Sequence, residues 1–141
     1  MITRDDYFGQ HDEVPEPGVE ANAADLLSRV NALLVACGFK TTCDSGWRPP
    51  KYNAELRRLW QTTGGKEGAN TAVFSRHMDG DAIDLRDNAD QQIAKFLLAN
   101  PAVLIAHGLY MEHPSATRGK RTNWCHLQRI PPKSNNRVFY P

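Results

Sequence analysis

The strongest pattern in the chain is a helical stripe between Asn22 and Cys37. Leu26, Val30, Leu33, Leu34 and Cys37 recur there at three- and four-residue steps, which puts them on one helix face. Asn22 is placed to cap the start, and Gly38 stands where a left-handed residue would stop it. Ahead of this helix, residues 1–19 read as an extended N-terminal arm, because positions 10–19 are rich in Asp, Glu, Pro and Gly. Phe39 to Cys43 is short and β-prone and leads into the turn Asp44-Ser45-Gly46. Pro49-Pro50 interrupts the chain, and Asn53 to Thr62 reads as a second helix ended by Gly64-Gly65. A Gly-, Asn- and Thr-rich loop covers 64–72. Ala82 to Leu85 is a short strand that contains Asp84.

Downstream, Asp87 or Asn88 opens a helix with Ile93, Phe96 and Leu97 on its apolar face, ended by Pro101. Leu104 to His107 suggests one more helical turn. Leu109 to Glu112 and Trp124 to Arg129 are strand candidates joined by a polar loop. The tail 131–141 carries too much Pro and Asn for a regular element, and its Val138, Phe139 and Tyr140 are expected to pack back on the body. Helices and strands do not alternate strictly, so the expected class is α+β.

Composition narrows the function classes. A chain of 141 residues suits one domain, 1–141, with a core that needs no covalent staples. Its net charge of +1 lacks the basic footprint of a nucleic-acid binder. Arg118, Lys120 and Arg121 gather in one stretch that reads as a solvated loop with some local pull on an acidic polymer. The N-terminus is polar, without a secretory signal, so synthesis in a cytoplasm is expected. No apolar run approaches the ~20 residues that span a bilayer, so no membrane insertion is expected. Cys37, Cys43 and Cys125 form an odd set without C-x-x-C spacing, against both a disulfide framework and a thiolate zinc site. Nothing demands more than a monomer.

The chemistry concentrates in Ser75-Arg76-His77-Met78-Asp79-Gly80-Asp81-Ala82-Ile83-Asp84, which fits S-x-H-x-x-G-x-A-x-D at each fixed position, and in Trp124-Cys125-His126. Two imidazoles and a carboxylate are a sound tridentate set for catalytic zinc, leaving the fourth position open. Gly80 lets the loop after His77 turn into the strand that presents Asp84. On a strand, Trp124 and His126 share a face, so Trp124 is placed to floor the site, while Cys125 faces the core. His11 and His107, in contrast, have no pattern around them and read as ordinary surface or core residues; Trp60 reads as core, and Asp79 and Asp81 as solvated.

At these residues the chain resembles the M15 family of zinc peptidases, the D-Ala-D-Ala carboxypeptidase and L-alanyl-D-glutamate endopeptidase group. Ser75, His77, Gly80, Ala82, Asp84, Trp124 and His126 carry the resemblance, with Ser45-Gly46-Trp47-Arg48-Pro49-Pro50 and Asn53 upstream, over about residues 40–130. The C-terminal part, with Glu112-His113-Pro114, looks most like small phage-encoded members. The resemblance implies a small antiparallel sheet flanked by helices, with one zinc ion in a surface cleft held by His77, Asp84 and His126. It implies hydrolysis of a bond in the peptidoglycan stem peptide.

One departure stands out. Many members place an acidic residue three positions before the last histidine, where this chain has Asn123, which cannot take a proton. Glu112 is the nearest acidic candidate for the general base, with His113 second. Arg48 is the candidate for gripping a substrate carboxylate or carbonyl oxygen. Ser75, Trp47 and Trp124 are candidates for substrate contact. The expected protein is an endolysin-like endopeptidase, released by a holin or carried in a virion. The alternatives are a D,D-carboxypeptidase or dipeptidase acting on D-Ala-D-Ala and, from another class, a non-catalytic zinc-bearing virion or wall-binding protein.

Overall fold

The computed structural model describes all residues, Met1–Pro141. The arm expected at 1–19 is not extended throughout. Thr3 and Asp6 close a reciprocal capping box around a first helix, α1 (Arg4–Phe8), which buries Tyr7 and Phe8. The long helix α2 (Pro17–Cys37) begins five residues before Asn22. Pro17 starts it because a first-turn residue needs no N–H, so Glu16 and not Asn22 is the N-cap. Gly38 ends α2 in the left-handed region at φ 70°, as expected.

The chain continues through β1 (Cys43–Ser45), α3 (Pro50–Thr62), β2 (Ala82–Asp87), α4 (Gln92–Ala99), α5 (Pro101–Ala106), β3 (Tyr110–Glu112), a 3-10 turn (Pro114–Ala116), β4 (Asn123–Gln128) and β5 (Val138–Phe139). β1 lies beyond the stretch 39–43 expected for it because Cys43 and Ser45 find partners in Leu85 and Asp84 across a bulge. Asp87 and Asn88 do open α4, from upstream. The Asp87 carboxylate accepts N–H bonds from Ile93 and Ala94 at 3.0 and 2.9 Å, and Asn88 Oδ1 accepts from Gln92 at 3.0 Å. Pro101 both ends α4 and starts α5.

The five strands form one sheet in the order β1-β2-β4-β3-β5. The first three pairings are antiparallel, and β3–β5 is parallel, so the sheet is mixed. The tail therefore does form a regular element. The outer edge of β3 has main-chain groups to satisfy, and Arg137 and Phe139 carbonyls accept from Met111 and His113 N–H at 2.9 and 2.7 Å.

One sheet face carries the core. Ile83, Leu85, Met111, Cys125 and Leu127 are fully buried against Leu26, Val30 and Leu33 of α2, Leu97 of α4 and Leu104 of α5. Tyr7 is buried with them and donates its hydroxyl to Ala82 O at 2.9 Å, which ties α1 to the start of β2. Trp60 is not core: it is 38% exposed at the end of α3, where it covers Gly65. Asp81 is not solvated either. It is buried, and Arg129 binds it at 2.7 Å while also reaching Asp25 and Asn22. That network and the Asn22–Asp79 carbonyl bond fasten α2 to the loop preceding β2. Asp79 remains exposed. No helix is long and apolar enough to cross a membrane.

Candidate metal centre

Strand register builds the site. Asp84 pairs with His126 across β2 and β4, and Ser45 pairs with Asp84 across β1 and β2. Tyr110 and Met111 pair with Gln128 and Leu127, so the next step in that register sets Glu112 opposite His126. Glu112 in turn pairs with Phe139. Ser45, Asp84, His126, Glu112 and Phe139 thus form one row across all five strands, on the face opposite the Leu127 side of the core. His77 enters this row from the loop before β2. Its Nε2 lies 3.4 Å from Asp84 Oδ2, and its ring centre 5.3 Å from that of His126.

The hydrogen bonds decide which ring nitrogens face inward. His77 Nδ1 meets the Gly46 carbonyl at 2.8 Å. A carbonyl only accepts, so Nδ1 carries the proton and Nε2 turns its lone pair on Asp84. His126 Nε2 meets Gln128 Oε1 at 3.1 Å, and that amide is oriented by its own donation to Ile130 O at 2.7 Å. Nε2 of His126 therefore carries a proton, and Nδ1 faces Asp84 Oδ1 at 2.8 Å. Two imidazole nitrogens converge in this way on the two oxygens of one carboxylate. A proton or a cation has to lie between them.

The electrostatics match. Burial alone would raise the Asp84 pKa, but the two imidazoles hold it far below the usual carboxylate range. Burial alone would lower that of His126, but the bond to Asp84 outweighs it and the ring keeps its proton more tightly than a free histidine. One ligand atom from each of His77, Asp84 and His126 lies within 4.8 Å of the others, so the three can hold a metal ion. Bonds of ~2.1 Å in a tetrahedron separate neighbouring ligand atoms by roughly 3.4 Å, close to the His77–Asp84 spacing. Both outer nitrogens donate to oxygen acceptors, the arrangement that fixes the tautomer of metal-binding histidines.

The remaining candidates fall on different sides of this centre. Glu112 is half-buried, and burial raises its pKa, with His126 opposing and Asp84 adding to the rise. Its place in the row puts it beside His126. Arg48 sits at the other end, donating to Ser45 Oγ and Asn53 Oδ1 at 3.3 Å, with its main-chain N–H on His77 O. It has no carboxylate partner, and burial lowers its pKa while Asp84 supports its charge. Asn123 lies an odd number of residues from His126 and donates instead to the carbonyls of Asn88 and Ala89, away from the row. His113 is occupied elsewhere: Ser115 N–H donates to its Nδ1, and its ring stacks on Tyr140 with centroids 4.6 Å apart.

The three residues expected to touch substrate have structural attachments. Ser75 Oγ accepts the His77 N–H at 3.3 Å and shapes the ligand loop. Trp47 is 5% exposed, packs against Phe8 and donates to Met78 O, so it props that loop from the core while its remaining surface lines a pocket with Pro49, Pro50 and Met78. Trp124 lies on the His126 face, one pleat along the strand from the centre, with its ring against Gly119. Cys125 is fully buried on the core side, as expected. His107 and His11 stay outside the site; His107 bonds Val103 O and His11 packs on Tyr52. Gln128 and Phe139 belong to no motif, and Gly46 lies in the Ser45-Gly46-Trp47-Arg48 motif without a role assigned to it there. Alternation alone carried the signal for Gln128, two residues after a ligand on the same strand face.

No family model, no curated protein and no solved structure matches this chain.

Proposed function

We propose that the chain is a zinc-dependent peptidoglycan hydrolase of M15 type that cuts a stem-peptide bond as an endopeptidase of the L-alanyl-D-glutamate kind. The observation that carries this reading is the flanked centre: three convergent ligand atoms, with a protonatable Glu112 on one side and a carboxylate-free Arg48 on the other. A zinc ion held by His77, Asp84 and His126 would supply Lewis acidity, polarising a peptide carbonyl and making water nucleophilic near neutral pH.

The protein's own groups supply the rest. Glu112 accepts a proton from the attacking water as oxygen bonds to the carbonyl carbon, then gives it to the nitrogen as the C–N bond breaks. Its raised pKa suits both halves of that exchange. Arg48 faces the substrate from the Ser45 side, where its guanidinium stabilises the carbonyl oxygen as charge grows on it. The Asn53 and Ser45 bonds hold that fork in place. Trp47, Ser75 and Gly46 keep His77 and Arg48 in register, since all attach to the same loop.

The protein would act on the cell wall, released by a holin or carried in a virion, and as a monomer. Asn123 in the usual base position favours a non-catalytic wall-binding role, whereas Glu112 in the row beside His126 favours catalysis. The test is release of new amino termini from purified peptidoglycan by protein stripped with chelator and then restored with zinc. Mass spectrometry of the fragments separates an endopeptidase from a carboxypeptidase, which would liberate single D-alanine residues. Zinc-restored protein that binds the wall and releases nothing would leave only the binding role.

A further inference from the structure

Resting on the reading of Glu112 as the base, we infer that Gln91 is a positioning residue for it: the Gln91 carboxamide fixes the main chain just past Glu112 and so aims a carboxylate that no side chain holds. Gln91 stands in the turn that opens α4, at φ 54° and ψ 49°. A side chain in this left-handed region crowds the neighbouring carbonyl, which is why glycine usually occupies it. The chain follows that rule elsewhere. Six of its eight positive-φ residues are glycine, and a seventh is Asn135, a residue type that tolerates the region. Gln91 is the exception, and its strain persists only because the surroundings over-determine it.

The side chain shows what those surroundings are. Gln91 is 1% exposed and uses its whole amide. Nε2 donates to the Pro114 carbonyl at 2.7 Å and to Thr117 Oγ1 at 3.4 Å, and Oε1 accepts from Arg118 Nε at 2.9 Å. Pro114 and Thr117 are buried around it, while Ser115 between them is exposed. The same turn holds the far end of the loop, because the Asn88 and Ala89 carbonyls accept from Asn123 at 3.1 and 3.2 Å. The connection from β3 to β4 is thus pinned to the α4 turn at both ends.

Glu112 is where this pinning matters. Its carboxylate accepts no hydrogen bond from the protein and pairs with no cation, so the main chain alone aims it. Glu112 is the last residue of a three-residue strand. Past it, the His113 N–H is held by Phe139 O at 2.7 Å, and the Pro114 carbonyl is held by Gln91. Removing the second fixing frees the strand end to swing, and a misplacement of ~1 Å at a reacting group can cost about 10²-fold in rate.

Two substitutions test this. Gln91→Gly suits the backbone and deletes the carboxamide; Gln91→Asn also tolerates positive φ but falls one methylene short of Pro114. With zinc-loaded full-length protein and a synthetic stem peptide, both should lose about 10–100-fold in kcat, with KM within about threefold of the parent. Zinc affinity by chelator competition should also stay within about threefold, since neither variant touches a ligand or its hydrogen-bond partner. Because the loss runs through Glu112, adding Gln91→Gly to Glu112→Gln should slow the residual turnover by less than about threefold. One readout needs no variant: in the parent, the Gln91 side-chain amide protons should exchange slowly with solvent. Parental kcat in a folded, zinc-loaded Gln91 variant overturns the assignment. An equal loss in both Glu112 backgrounds, or fast exchange of the Gln91 amide, overturns it too. A parent that binds zinc and cleaves nothing removes the hydrolase reading, and the positioning role goes with it.

Discussion

Replacing Gln128 should loosen the metal centre without touching a ligand. Gln128 is 5% exposed, so leucine fits its space with little new apolar exposure. The substitution removes the acceptor of the His126 Nε2 proton at 3.1 Å and the donor to Ile130 O at 2.7 Å. Two neutral hydrogen bonds at ~0.5–1.5 kcal/mol each put the stability loss at about 1–3 kcal/mol. The larger effect is on the ring. Without Oε1, His126 no longer has a fixed tautomer, and Nδ1 is not reserved for the ion. Loss of such a partner costs metal affinity about 10–100-fold, or ~1.4–2.7 kcal/mol. Gln128→Glu keeps an acceptor at that position and should hold zinc at least as well as the parent, although it gives up the bond to Ile130. Zinc competition against a chromophoric chelator at pH 7 measures the affinities, and imidazole nitrogen NMR reads the tautomer. Parental zinc affinity and an unaltered His126 tautomer in Gln128→Leu would refute this reasoning.

Three other outcomes follow from the same geometry. Glu112→Gln should keep zinc and fold while losing about 10²–10⁴ in kcat, as removal of a general acid–base does; metal analysis beside turnover checks it, and full activity would move the base elsewhere. Gly46→Ala should lower both melting temperature and zinc affinity. A Cβ there would stand 2.1 Å from the Tyr7 carbonyl oxygen, so the segment just after β1 that supplies the His77 acceptor has to shift; thermal melts and chelator competition of the variant indistinguishable from the parent would contradict this. The third outcome is a pH dependence. The raised His126 pKa contributes stability to zinc-free protein that is complete below ~6.5 and is lost as pH rises through the higher folded value. The depressed Asp84 pKa contributes above ~3.9 and is lost only as pH falls through its much lower folded value. Zinc-free melting temperature should therefore fall as pH rises above ~6.5, while zinc affinity rises as the His126 proton is displaced. Parallel melts with and without zinc across that range test the sign.

Much of this is legible in the sequence alone. The stripe on α2, the left-handed stop at Gly38 and the β2 and β4 strands follow from period and punctuation. The three candidate ligands follow from motif spacing, and Asp84 and His126 meet because β2 and β4 pair with these residues opposite each other. Element starts were less legible. Asn22 looked like a cap because it is a good cap residue, but Pro17 can begin a helix without an N–H, and Asn22 serves Arg129 and Asp79 instead. The tail looked irregular because β5 is only two residues long, and such a strand exists through its partner β3 and not through its own propensity. Asp81 looked solvated because its partner Arg129 is distant in sequence. The cross-sheet row itself could not be read from spacing, since it depends on the order in which five strands pair.

The central claim is that His77, Asp84 and His126 close on one divalent ion. The most direct measurement is anomalous diffraction at the zinc edge from crystals of the zinc-loaded protein. One peak, with His77 Nε2, His126 Nδ1 and an Asp84 oxygen each at about 2.0–2.2 Å, is the result predicted. No peak between these residues, or a zinc held by other side chains, would contradict it.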